Sequence, residues 1–196
     1  MKLLLETICC QDGQLQALPW HEARMRDSLQ QLGGGLSFPL SQIRVPEHAR
    51  AGRYKCRLLY NGQLQQTEFL PYRIRPVRHL RLMEAGHIDY SCKYADRRAI
   101  EALFAARGDA DDILMVRNGY ITDTSYANVA LWDGAAWHTP ATPMLPGTRR
   151  ARLLQQNQLQ ESRIRIADLV HFQQIALFNA MMGLHEGPRL PVKAIL

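Results

Sequence analysis

The sequence predicts an α+β fold in two unequal parts, and three observations carry that expectation. Four turn dipeptides, Asp12-Gly13, Asn61-Gly62, Asn118-Gly119 and Asp133-Gly134, each lie between apolar or alternating runs, the strongest short-range signal for a β-hairpin. Single helical stretches, not a regular strand–helix alternation, separate the hairpins. Between the second and third hairpins, Pro71 to Val77 is rich in Arg and Pro, and proline opposes both helix and central strand because it lacks the N–H.

Taken in order, the hairpins pair Leu3 to Cys10 with Gln14 to Leu18, and Tyr54 to Tyr60 with Gln63 to Leu70. They then pair Ile113 to Arg117 with Tyr120 to Thr122, and Val129 to Trp132 with Trp137 to Thr139. A helix is expected over His21 to Leu32, where Met25, Leu29 and Leu32 share a face and Gly33-Gly34-Gly35 stops it. A second is expected over Tyr94 to Ala106, with Ile100, Leu103 and Phe104 inward. A third begins near Gly147 and runs through Leu153 and Leu154 toward Leu159. A short helix over Asp168 to Gln174 precedes a strand-like Ile175 to Phe178. The division is residues 1–74 as a small N-terminal domain, 75–79 as linker and 80–196 as the larger C-terminal domain.

The composition of the 196 residues, 46% hydrophobic and 21% charged, excludes bulk disorder, a collagen-like repeat and a coiled coil. A formal charge of +6 raises the possibility of nucleic-acid binding, but the 20 Arg are scattered and interleaved with Asp and Glu, which favours a solvated face. Cys9, Cys10, Cys56 and Cys92 show no zinc spacing and read as reduced, partly buried thiols. No metal site is expected. The apolar start Met1 to Leu5 is cut by Glu6 too early for a signal peptide, and no run approaches the ~18 apolar residues of a membrane helix. The expected location is cytoplasmic, with no membrane and no nucleic-acid partner.

Three features carry potential chemistry. Lys93 is one of only four lysines in an Arg-rich chain. Arg cannot lose its proton to form an imine, so a lysine there is suggestive, although alone it reads as a surface residue. Gly119 to Asn128 concentrates short polar side chains between strands, either a satisfied turn or the floor of a polar ligand site. Leu145-Pro146-Gly147-Thr148-Arg149 opens a helix, where free N–H groups either hold an anion or are ordinarily capped.

In this order, and with further pieces, the chain resembles the class IV, fold-type IV family of pyridoxal-phosphate (PLP) enzymes. The pieces are Leu5-Glu6-Thr7-Ile8, His21-Glu22-Ala23-Arg24, Lys93-Tyr94-Ala95-Asp96-Arg97 and Ile121 to Val129. They continue with Trp137-His138-Thr139-Pro140, Leu145 to Arg149 and Phe178-Asn179-Ala180-Met181. The resemblance implies a D-amino-acid-aminotransferase-like architecture, with a small N-terminal α/β domain, a larger β-rich C-terminal domain and PLP in the cleft between the two, and it implies a homodimer. It implies that Lys93 is the Schiff-base lysine and the general base and acid at the substrate Cα. Asp123 stands where the family commonly has Glu, as partner of the pyridine nitrogen. Arg24 clamps the phosphate, with backbone N–H groups of Gly147, Thr148 and Arg149. Asn128, Asn179 and Ala180 are further cofactor contacts, and Tyr94 and Ser125 orient substrate and site groups.

Among the family's activities, the pieces Lys93 to Arg97 and Phe178 to Met181 look closest to 4-amino-4-deoxychorismate lyase, which expels pyruvate to leave 4-aminobenzoate. The alternative is an aminotransferase of the branched-chain or D-amino-acid type. A non-catalytic relative is disfavoured by the retention of Lys93, Asp123 and Arg24 together. The segments before the Glu-Thr-Ile strand and between Gly33 and Lys93 are shorter than the family pattern, so the N-terminal domain is shortened on the substrate side.

Overall fold

The computed structural model describes residues 2–196, so Met1 of the apolar start lies outside the described residues. The chain forms two compact units: Met1–Arg73 with Cys92–Asp96, and Ile74–Ser91 with Arg97–Leu196. Each is mixed α+β and rich in strand. No helix among the described residues is long and apolar enough to cross a membrane.

The first unit holds β1 (Leu4–Gln11), β2 (Gln14–Leu15), β3 (Arg53–Tyr60) and β4 (Leu64–Pro71) in an antiparallel sheet ordered β2-β1-β3-β4. Asp12 and Gly13 both take positive φ, 47° and 78°, the backbone that a two-residue hairpin turn requires. Helix α1 (Leu18–Gln31) buries His21, Met25, Ser28 and Leu29 along one stripe. It begins three residues before the expected His21, because Pro19 is tolerated in a first turn. Its end is a Schellman motif: Gly34 N–H donates to Leu29 O, Gly33 N–H to Gln30 O, and Gly33 takes φ 73°. All four cysteines are buried free thiols of this unit.

The second helix, α2 (Arg98–Ala105), starts four residues later than expected. The segment around Lys93 is instead extended and paired with the start of β1: Leu5 N–H donates to Lys93 O at 2.8 Å, Ala95 N–H to Leu3 O at 3.0 Å, and Tyr94 bridges Leu4. These groups satisfy a strand edge and so are unavailable to a helix.

The second unit begins with Ile74 to His79, which carries no regular structure. Arg75 Nη2 donates to Asp112 Oδ2 at 2.6 Å, and the Arg78 and His79 N–H groups donate to Asp111. Strand β5 (Leu80–Glu84) lies parallel to β6 (Asp112–Arg117), with α2 in the connection. Strand β7 (Tyr120–Thr124) returns from β6 through Asn118-Gly119, both at positive φ. β8 (Asn128–Trp132) and β9 (Trp137–Pro140) form the last expected hairpin. Helix α3 (Thr148–Gln155) leads to β10 (Gln160–Ser162), parallel to β9, and β11 (Gln174–Phe178) pairs with both β8 and β12 (Arg189–Pro191).

α3 stops before Leu159 because Asn157 adopts φ 54° and Gln158 N–H closes onto Leu153 O. The expected helix over Asp168 to Gln174 is a 3-10 turn at Ile166–His171. Strands β8 and β11 are buried on both faces, which explains their unbroken apolar runs. Val129, Leu131, Ile175 and Leu177 enter one cluster with Leu114 and Ile121, while Ala130, Ala176 and Phe178 enter another with Leu153, Leu159 and Leu184.

Candidate active site

In the first unit, β1 and α1 bring three charged or polar side chains together, two of them buried and the third, Arg24, partly so. Glu6 interrupts the apolar run of β1 and is fully buried. His21 and Arg24 are one helical turn apart on α1 and both face it. His21 Nδ1 lies 2.7 Å from Glu6 Oε1; Arg24 Nε donates to Oε2 at 3.2 Å and Arg24 Nη2 donates to Oε1.

Burial alone would raise the Glu6 carboxyl. The Arg24 guanidinium, the His21 bond and the charge of Lys93 outweigh it and hold the group well below the usual carboxylate range. Burial depresses His21 although Glu6 opposes this, so the imidazole is neutral at neutral pH and its Nδ1 carries the hydrogen given to the anion. Lys93 is half-buried on the segment beside β1, and the Tyr94 ring is buried with Lys2 Nζ 4.7 Å from its centre. The sequence assigns neither Glu6 nor His21 a part in the site, although both lie in stretches that carry the family resemblance. The available signal was an acid inside a buried strand, followed by a His and an Arg spaced to share one helix face.

In the second unit, Asp123 on β7 and Asn128 on β8 stand opposite each other in register. Asn128 Nδ2 donates to Asp123 Oδ1 at 2.7 Å and to Leu145 O at 2.9 Å, while Leu145 N–H donates to Asp123 Oδ2 at 2.9 Å. Burial pushes Asp123 up to about 6, against the lowering effect of the Leu145 and Asn128 bonds and the charge of Arg150. Among the described residues, its hydrogen-bond donors are an amide and backbone N–H groups, none of them a cation.

Gly147 precedes α3, and a Cβ there would come 1.9 Å from Asn128 Oδ1, so only glycine lets this loop close against Asn128. Thr148 is buried at the first helical position. The first intrahelical bond runs from Ala151 N–H to Gly147 O, so the N–H groups before Ala151 lie outside the helix ladder. Arg149 does not stand alone: its Nε and Nη2 donate to Asn179 O and Ala180 O at 3.4 and 3.3 Å. Asn179 in turn donates to Tyr126 O and accepts from Met181 N–H.

Asp123, Asn128 and Gly147 thus form one contiguous group, and Arg149, Asn179 and Ala180 another joined to it through α3. Ser125 is directed elsewhere, with its N–H and side chain on Asp112 and its carbonyl on Arg97.

The profile of the amino-transferase class IV family matches residues 3–189. An uncharacterized protein of Haemophilus influenzae (strain Rd) is 36% identical over 185 residues, which is 92% of this chain and 98% of that protein. A crystal structure from Haemophilus somnus 129PT, named only as a candidate 4-amino-4-deoxychorismate lyase, is 33% identical with a TM-score of 0.86, covering 94% of this chain and 98% of that one. A hypothetical aminotransferase from Mycobacterium tuberculosis, solved in a PLP-bound form, shares the fold at 19% identity and a TM-score of 0.70, over 92% of this chain and 78% of that one. With a profile spanning nearly all of its length and a relative this similar over nearly all of theirs, the chain belongs to the class IV aminotransferase family, a family of PLP-dependent aminotransferases and lyases.

Proposed function

We propose that the chain binds PLP and acts on a small amine as a 4-amino-4-deoxychorismate lyase, releasing pyruvate and leaving 4-aminobenzoate. The observation that carries the cofactor reading is Asp123, a buried carboxylate without a cationic donor, which is the partner a pyridine N–H needs. The N–H groups at the start of α3, which lie outside its hydrogen-bond ladder, fit the phosphate of the same group. PLP, when bound, supplies an electrophilic carbonyl for the substrate amine and a ring that takes up the electron pair left at Cα.

The chain's own residues do the rest. Arg24 and the backbone N–H groups of Gly147, Thr148 and Arg149 hold the phosphate. Asp123 keeps a proton on the ring nitrogen, and Asn128 holds Asp123 in place. Lys93, which can give up a proton where Arg cannot, takes the proton from the substrate Cα and delivers it to the departing three-carbon group, which leaves as pyruvate. Tyr94 orients neighbouring groups, and Asn179 and Ala180 fix the loop that Arg149 grips.

The choice of the lyase over an aminotransferase rests on Lys93 to Arg97 and Phe178 to Met181, and it agrees with the name carried by the Haemophilus somnus protein. The test supplies aminodeoxychorismate in one arm, and amino donors with 2-oxo acids in the other. Pyruvate with 4-aminobenzoate is the expected result; amine exchange alone would replace the lyase reading by an aminotransferase while leaving the cofactor reading intact. The proposal includes a cytoplasmic homodimer, tested by light scattering of the purified protein and by fractionation.

A further inference from the structure

The bond between Glu6 and Arg24 uses a particular edge of the guanidinium. Nε–H and one Nη2–H point at the two carboxylate oxygens, the side-on mode of a carboxylate–guanidinium pair. A guanidinium has five N–H groups in one plane, so both hydrogens of Nη1 and the second of Nη2 project from the opposite edge. Among the described residues, Arg24 donates to no acceptor other than Glu6. The Arg24 side chain is 11% exposed while that of Glu6 is 0% exposed, so the pair has a dry end and a wetter one.

His21 fixes the dry end from the other side. Its Nδ1 holds Oε1, the same oxygen that Arg24 Nη2 uses, so Glu6 cannot turn without losing one of the two bonds.

From this geometry we infer that Glu6 is a positioning residue, which locks the plane of Arg24 so that its remaining fork of N–H groups is presented to a phosphate ester. The inference rests on the reading of Arg24 as the phosphate ligand. It adds a role for a buried acid that would otherwise only compete with phosphate for the same cation. Glu6 being anionic at neutral pH suits this role, since a protonated carboxyl would lose one of its two acceptors.

The test uses the full chain stripped of PLP, titrated with PLP and with pyridoxal, which differ only in the phosphate, following the absorbance change of each. The ratio of the two dissociation constants isolates what the phosphate contributes. In Glu6→Gln the PLP preference is expected to fall about tenfold with the pyridoxal constant within about twofold of wild type. Arg24→Ala is expected to lower the same ratio, and adding Glu6→Gln to it to change nothing further. An unchanged or increased ratio in Glu6→Gln, an equal loss for both compounds, or a full additional loss in the double variant overturns the inference. A wild-type chain that takes up neither compound sinks the proposed function instead, and an Arg24→Ala chain with an unaltered ratio removes Arg24 from the phosphate. If Glu6→Gln lacks a cooperative thermal transition, Glu6→Asp replaces it: withdrawing the charge by one methylene is expected to lower the ratio severalfold, and no change overturns the inference.

Discussion

Asn128 donates to Asp123 at 2.7 Å across the turn joining β7 and β8, and the same amide nitrogen reaches Leu145 O. One side chain therefore ties a buried carboxylate to the loop before α3. Replacing it by Ala strips a charge-assisted bond from Asp123 and leaves Leu145 O unmatched, at a cost of about 2 kcal/mol. The expected outcome for Asn128→Ala is a lower thermal midpoint, together with a still higher Asp123 pKa, because the Asn128 bond is one of the influences lowering it. Calorimetry at several pH values checks both; a midpoint equal to wild type would show that Asn128 merely closes the turn.

Gly147 faces Asn128 from the other side. A Cβ at 147 would lie 1.9 Å from Asn128 Oδ1, and the backbone there is extended, with φ −71°, so the conflict is steric and not conformational. Gly147→Ala is expected to cost about 2 kcal/mol through displacement of Asn128. In an Asn128→Ala background the penalty should largely vanish, since the colliding oxygen is gone. Additive losses in the double variant would place the strain elsewhere.

Asp123 makes stability depend on pH with a definite sign. Its folded pKa of about 6 lies above the ordinary 3.8, so its contribution is complete below pH 3.8 and is lost as pH rises through about 6. The loss amounts to about 3 kcal/mol. Relative to Asp123→Asn, the PLP-free wild type should therefore become progressively less stable between pH 4 and pH 7, whatever constant offset the substitution introduces. Parallel stability curves for the two chains over that window would contradict the raised pKa.

Glu6 acts in the opposite direction. Its folded pKa is depressed, so its stabilisation is present above the ordinary 4.5 and is lost as pH falls below that value. Acid unfolding curves of wild type and Glu6→Gln should converge as pH drops from 5 toward 2.5. A gap that stays constant through this range would mean that Glu6 is not held anionic by Arg24 and His21.

Lys93 carries the chemical prediction. Borohydride treatment of the PLP-loaded chain should leave the cofactor covalently on the peptide that contains Lys93, and Lys93→Ala should abolish that label. Turnover in the variant should fall by about 10³-fold. Retained turnover, or a label on another lysine such as Lys55 or Lys193, refutes the assignment.

Much of the fold was legible from short stretches of sequence. Asp12-Gly13 and Asn118-Gly119 announce their hairpins because both residues of each pair accept positive φ, a local steric property. The Schellman end of α1 is likewise written in Gly33-Gly34. The start of α2 was not legible: Lys93-Tyr94-Ala95 is compatible with a helix, and only the open edge of β1, some ninety residues earlier, makes it extended. Parallel pairing of β5 with β6 and of β9 with β10 escaped for the same reason, since no turn dipeptide marks a long crossover.

The candidate site divides along the same line. Lys93, Arg24, Asp123 and Gly147 are visible as residue types in a family-like order, because the chemistry of an amine, a guanidinium, a carboxylate and a missing Cβ is intrinsic to each residue. Glu6 looked only like a break in an apolar run, and its ionised, doubly held state depends on His21 and Arg24 arriving from α1. The turn dipeptides, the single helical stretches between them and the composition by themselves determined an α+β protein that carries one conspicuous lysine. Only the tertiary structure decided which carboxylate is buried with no cationic hydrogen-bond donor among the described residues and which is locked to one, because burial and charge partnership are properties of neighbours that the chain brings together from a distance.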